Sequence, residues 1–243
     1  MMDAKKALTE AGGDAEAATQ ILREKGLSKA AKRSDRDNTD GAVALAQDGD
    51  KVAVVLLRSE TDFSAKSDDF VAVAQKLADV ALAGGDPAVD CATDIEDLML
   101  TKKENIDIGA VHIVEAAEGN TLDTYLHVQD GRGSIGIVVE GSGVAEDALH
   151  SIALHCAFAN PRFLDKSEVS EDDVAKEREA LLEITKSEGK PEAAWDKIVD
   201  GRLGAWYKES VLLEQGLNGD KVTVAETAAP GTVVRFVQAR IGA

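Results

Sequence analysis

The chain has 243 residues, enough for one large domain or two or three small ones and for a sizeable buried core. Its 45 Asp and Glu against 27 Lys and Arg give a formal net charge of -18, which disfavours phosphate backbones and anionic membranes as general partners and favours a basic protein surface. No apolar run approaches the roughly 20 residues of a membrane span, the start MMDAKKALTEAGG lacks the apolar stretch of a signal peptide, and the two cysteines, Cys91 and Cys156, without metal-type spacing, read as reduced thiols, so the chain is expected in the cytoplasm.

In chain order, residues 1–27 are dominated by Ala, Leu, Lys and Glu and predict two helices broken at Gly12-Gly13. Asp14 is the expected cap of the second, with Ala18, Ile21 and Leu22 on one face and Gly26 at its C-terminus. Two helices of this size cover only half a core, where small helical domains normally use three. A partner element is therefore expected upstream, and without it residues 1–27 are expected to pack loosely around Leu8 and Ile21. SKAAKRSDRDNTDG, residues 28–41, is charged and nearly without large apolar groups, so a linker or exposed helix extension and a domain boundary fall there.

From Gly41 the texture changes to strands. GAVALA and KVAVVLL flank Asp48-Gly49, a hairpin-turn signal, and SDDFVAVAQKLADVALAGG then sets Phe70, Val73, Ala74, Leu77 and Ala81 at helical spacing before Gly84-Gly85. ENIDIGAVHIVEAAEG reads as a further strand. The order returns in LDTYLHV, the turn QDGRG, SIGIVVE and the helix AEDALHSIALHCAFAN stopped by Pro161. Two strand–strand–helix units with helices against mostly antiparallel strands predict a pseudo-duplicated α+β core. Beyond Pro161, Ser170 with Asp173 resembles a capping box opening a helix, SEGKP breaks it, and a second helix carries Trp195, Ile198 and Val199. This is a helical hairpin, after which TVVRFVQARI closes the chain as a strand.

The stretch TDFSAKSDDF, directly after an apolar strand, sets Phe63 between an acid and a serine. On pattern alone Phe63 reads as a core aromatic closing the strand end, and Phe70 as a core residue of the following helix. Four histidines, His112, His127, His150 and His155, stand among abundant carboxylates and could in principle serve acid–base chemistry. The chain has no GxSxG, HExxH, Walker loop or dinucleotide fingerprint, so no catalytic residue, metal ligand or cofactor is assigned.

MMDAKKALTEAGGD, LREKG, SETDF, ENI, YLH, SIG, the His155 helix, EGKPE, VDGRL, YKESVLLEQ and VVRFV occur in an order and spacing that resemble bacterial elongation factor Ts over nearly the whole chain. The resemblance implies a nucleotide exchange factor for the translational GTPase EF-Tu in its GDP or nucleotide-free form, and no enzyme. It also implies a ubiquitin-associated-like (UBA-like) helical N-domain over 1–33 lacking its usual first helix, a linker over 34–41, a core N-subdomain over 42–115, and a core C-subdomain over 116–243 with the helical hairpin inserted at about 168–208. Carried over residue by residue, Asp62 and Phe63 would intrude beside the nucleotide site of EF-Tu, the ring between helices and the acid where Mg²⁺ is positioned. Ile135 and Gly136 would meet the far domain of EF-Tu, His155 would be a contact, and Lys5 would be the first of a basic pair near the N-domain contact. Read without the family, Ile135-Gly136 is a strand residue with a close-approach glycine, His155 a surface or satisfied core group, and Lys5 part of a solvated helix face. Ser64 and Ser67 depart from the family's more usual Val and Asn, Ala4 from its Cys, and the trailing helix of some members is not expected after Ala243. An acidic interaction scaffold without exchange activity is the competing reading.

Overall fold

The computed structural model describes residues 2–242 and divides into two compact units. The first comprises the chain up to Glu115, Leu126–Gly136 and the chain from Gln238; the second comprises Ala116–Tyr125 and Ile137–Val237. It is a mixed fold of helices and antiparallel strands, and among the described residues no helix is long and apolar enough to cross a membrane.

In the first unit, α1 (Met2–Glu10) and α2 (Ala15–Ala31) are separated by Gly12 and Gly13, both at positive φ, and Asp14 Oδ1 accepts the N–H groups of Glu16 and Ala17 at 2.9 and 3.0 Å. The expected cap is therefore present. The expected end at Gly26 is not, because α2 continues through it. A Cβ at position 26 would lie 2.3 Å from Leu100 Cδ2, so this glycine lets α2 approach α6 (Ala92–Lys102) instead of stopping the helix. Arg23 bridges the same seam to Glu96 and Asp97. Ala7 and Ala18 are buried while Leu8 is exposed and Ile21 half-buried, so the face thought to need cover is only partly covered by α1 and α2 themselves.

β1 (Asp40–Asp48) and β2 (Lys51–Ser59) pair from Asp40↔Ser59 to Asp48↔Lys51, with Gly49 at φ +54° opening the two-residue turn. The unbroken run Val52–Leu57 is apolar because both its faces are enclosed. On one face Ala53, Val55 and Leu57 belong to a cluster with Phe70, Ala74, Leu77 and Ala81 of α4 (Asp68–Leu82). On the other, Val43 and Val54 are met by Gly136, whose added Cβ would come within 2.7 and 2.9 Å of their methyl groups. α3 (Asp62–Ala65) fills the step between β2 and α4, α5 (Pro87–Asp90) precedes α6, and β3 (Asp107–Glu115) pairs antiparallel with β2.

β4 (Asn120–Gln129), β5 (Arg132–Ser142) and β6 (Thr232–Arg240) each contribute a part to both units; within the first, Gly133 of β5 pairs with Val43 of β1. In the second unit β5 takes β4 and β6 as neighbours, and α7 (Glu146–Ala159) buries Leu149, Ile152 and Cys156 before ending at Asn160 in a left-handed conformation. Burial pushes the Cys156 thiol up to about 12, as suits an inert core group. α8 (Glu171–Ser187) starts where the Asp173 N–H donates to Ser170 Oγ at 3.1 Å, and packs on α9 (Trp195–Ser210) with Arg178–Asp200 and Arg202–Glu188 pairs across the contact. α10 (Val224–Ala228) carries a reciprocal cap between Thr223 and Glu226.

Candidate functional site

Between Ser59 and Ser67 the chain leaves a strand, makes one helical turn and starts a second helix. Thr61, extended at φ -131° and ψ 149°, caps α3 by accepting the Ser64 N–H, and the Ser67 hydroxyl donates to the Ser64 carbonyl at 2.6 Å. A single turn held at both ends has an inside and an outside: Ser64 and Ala65 are buried, whereas Asp62 and Phe63 face water. Phe63 is 89% exposed. The reading of Phe63 as a core aromatic is thereby overturned, while Phe70, fully buried in α4, is core as expected. An exposed ring forgoes roughly 1.5–3 kcal/mol that burial would supply, which is what a docking partner has to gain.

The acid beside it is held by two cations. Lys66 Nζ lies 2.7 Å from Asp62 Oδ2 and 3.2 Å from Asp130 Oδ2, and Arg132 donates to the Asp62 carbonyl at 3.4 Å while pairing with Asp40 at 2.9 Å. The Lys66 hydrogen bond, aided by its charge and that of Arg132, holds the Asp62 carboxyl below its usual range, so it is an anion at neutral pH. Asp130 and Gly131, both at positive φ, form the tight β4–β5 turn that brings Asp130 and Arg132 to α3.

Ile135 and Gly136 follow three and four residues after Arg132 on β5. Ile135 is half-buried and Gly136 is buried against Val43 and Val54, so the glycine's first duty is close packing. Lys5 is exposed on α1. His155, in the second unit, is only 3% exposed: Nδ1 accepts the Asn218 N–H at 3.0 Å and Nε2 donates to Gln215 Oε1 at 2.9 Å, which makes it a neutral imidazole protonated on Nε2. Burial lowers its pKa, and the Gln215 hydrogen bond opposes that only in part. The histidine ties α7 to the segment 215–218 and does not present its ring to water; its helix neighbour Phe158 does, at 85% exposure. Sequence reasoning missed Lys66, Asp130, Arg132 and Glu104 around α3. Lys66 had a local signal, four residues after Asp62; Asp130 and Arg132 are distant in sequence and had none, and Glu104 stood in the ENI stretch of the resemblance without any sign of its partners.

A family model described as elongation factor TS matches residues 60–243. The chain is 42% identical over 260 residues to elongation factor Ts of Cutibacterium acnes, covering 100% of this chain and 93% of that protein. It is 36% identical to that of Deinococcus deserti, with 100% and 94% covered, and 39% identical to that of Ruegeria pomeroyi, with 100% and 87% covered. With a family model matching residues 60–243 and relatives 36–42% identical over the whole chain, the chain belongs to the elongation factor Ts family.

Proposed function

We propose that the chain is a translation elongation factor that acts as a guanine nucleotide exchange factor for EF-Tu in the cytoplasm. A GTPase holds GDP through phosphate contacts and Mg²⁺, so a protein that speeds release must favour the conformation in which these are poorly held. The observation that carries the reading is Phe63, 89% exposed on a one-turn helix beside the anionic Asp62. Phe63 would bury between helices of the GTPase, and Asp62 would displace the elements that position Mg²⁺. No bond is made or broken. Linkage makes the effect reciprocal, with a typical coupling of roughly 1–3 kcal/mol, about 5 to 150-fold, and an efficient exchanger at or beyond the top of that span.

The supporting surfaces follow the family. Ile135-Gly136 and Lys5 would meet other parts of EF-Tu. His155 would serve its contact from beneath, by fixing Gln215 and Asn218. We assign 1–33 to a UBA-like domain, 34–41 to a linker, and 42–115 and 116–243 to the two pseudo-duplicated subdomains, with the hairpin at about 168–208 as an insertion. The test is release of fluorescent GDP from EF-Tu·GDP·Mg²⁺ with catalytic amounts of the chain: acceleration that excess Mg²⁺ and GDP compete away is expected. Stable binding to EF-Tu with no change in release would favour the acidic scaffold and refute the proposal.

A further inference from the structure

Glu104 follows Lys103, the left-handed residue at φ +60° that ends α6, and its carboxylate is turned onto the exposed turn. Oε2 accepts the N–H groups of Glu60 and Thr61 at 3.1 and 3.2 Å. Oε1 accepts the hydroxyls of Thr61 and Ser64 at 2.7 and 2.5 Å. The tie is returned, because the Asn105 N–H donates to Glu60 Oε1 at 2.6 Å. Four charge-assisted hydrogen bonds thus converge on one side chain, each roughly twice as strong as a neutral one. They hold residues 60, 61 and 64. Asp62 and Phe63 are the two residues enclosed between the held positions.

The arrangement has a directional consequence. The Thr61 hydroxyl has one proton, and donating it to Glu104 leaves a lone pair aimed at the Ser64 N–H, so the carboxylate sets the cap that starts α3. Without it the Thr61 hydroxyl is free to turn away from the Ser64 N–H, and the turn loses the cap that fixes its direction. Ordering a loose loop on docking subtracts from the interaction it makes.

We infer that Glu104 is a positioning residue for exchange, fixing the direction in which Asp62 and Phe63 point before EF-Tu is met; this rests on the exchange reading proposed above. Glu104→Gln keeps one oxygen but turns an NH2 group onto donors, and Thr61→Val removes the hydroxyl relay while conserving shape. The experiment measures the rate of fluorescent GDP release from EF-Tu against concentration of the full chain, for these variants, for Phe63→Ala and for Glu104→Gln combined with Phe63→Ala. For Glu104→Gln the saturating rate should fall about tenfold, with the half-saturating concentration moving less than about threefold, since misplacement acts on the productive geometry more than on the remaining contacts. Thr61→Val should lower the saturating rate in the same direction. In the Phe63→Ala background the Glu104 change should cost less than about twofold more, because the two act as one unit.

A protein that had only lost folded molecules would reach the parent's saturating rate at higher concentration, and that result overturns the inference. So does a parental saturating rate for both Glu104→Gln and Thr61→Val beside a slow Phe63→Ala, an outcome that leaves the wedge standing. A parental rate for Phe63→Ala itself removes the wedge and the inference with it.

Discussion

The two phenylalanines of TDFSAKSDDF lie seven positions apart in opposite surroundings, so cutting each to alanine separates interface from core. Phe70 is fully buried in a cluster that includes Ala42, Ala44 and Leu77. Its removal leaves a cavity in a cluster of small residues that cannot close over it, and should cost about 3–5 kcal/mol. Phe63 has little to lose on folding, because its ring touches mostly water, and Phe63→Ala should change stability by no more than about 0.5 kcal/mol. In the complex the order reverses. A central aromatic anchor is worth at least about 2 kcal/mol, roughly 30-fold in the efficiency of GDP release. The assay pairs urea unfolding followed by circular dichroism with fluorescent GDP release from EF-Tu at matched concentrations of folded protein. The reasoning fails if Phe63→Ala lowers the urea midpoint as far as Phe70→Ala does while each folded molecule still exchanges normally.

Three further expectations follow from buried groups. Gly136→Ala would push a methyl within 3 Å of Val43 and Val54, and should lower stability by about 1–3 kcal/mol, so its exchange defect should shrink once rates are scaled to the folded fraction. Glu140, 1% exposed, accepts from the Ala117 N–H, the Asn120 amide and Arg235; burial raises its pKa, but these bonds outweigh it and the net shift is downward. A depressed carboxylate stabilises fully above its unfolded value near about 4.3 and loses that contribution as pH falls through the folded value. Urea midpoints of the parent should therefore drop more steeply in acid than those of Glu140→Gln, which should already be weaker by about 1–3 kcal/mol at neutral pH. His155, lowered by burial, should resist protonation, so stability should fall as pH drops below about 6.5, where the unfolded chain takes up the proton first. His112 is shifted the same way by burial, and comparing His155→Gln with the parent between neutral and mildly acidic pH isolates the share of His155.

What could be read in advance follows from the range over which each signal acts. β1, β2, α4 and α7 were legible because their apolar spacing, Asp48-Gly49 and Pro161 act within a few residues. Gly26 misled for the same reason: taken locally a glycine ends a helix, yet this one is needed for Leu100, 74 positions on. The turn at 61–65 is too short to have a period, so no pattern could decide whether Phe63 points in or out, and only the family resemblance favoured the outward answer. His155 shows the opposite limit. Its spacing from Ile152 and Cys156 places it near the buried face of α7, but its hydrogen bonds reach Gln215 and Asn218, about 60 residues away.

Glu104 belongs with His155. In sequence it is one acid among 45; it opens the ENI stretch of the family resemblance, but nothing in that stretch says what its carboxylate holds. Only folding brings Glu60, Thr61 and Ser64 to its two oxygens, across 40 to 44 positions. A local motif can therefore supply the group that meets the partner, while the rigidity that makes an exposed ring useful is drawn from a carboxylate elsewhere in the chain. If so, transplanting TDFSAK alone onto an unrelated strand–helix step should give an exposed phenylalanine but little exchange, and a matching acid beneath residues 60, 61 and 64 should restore it.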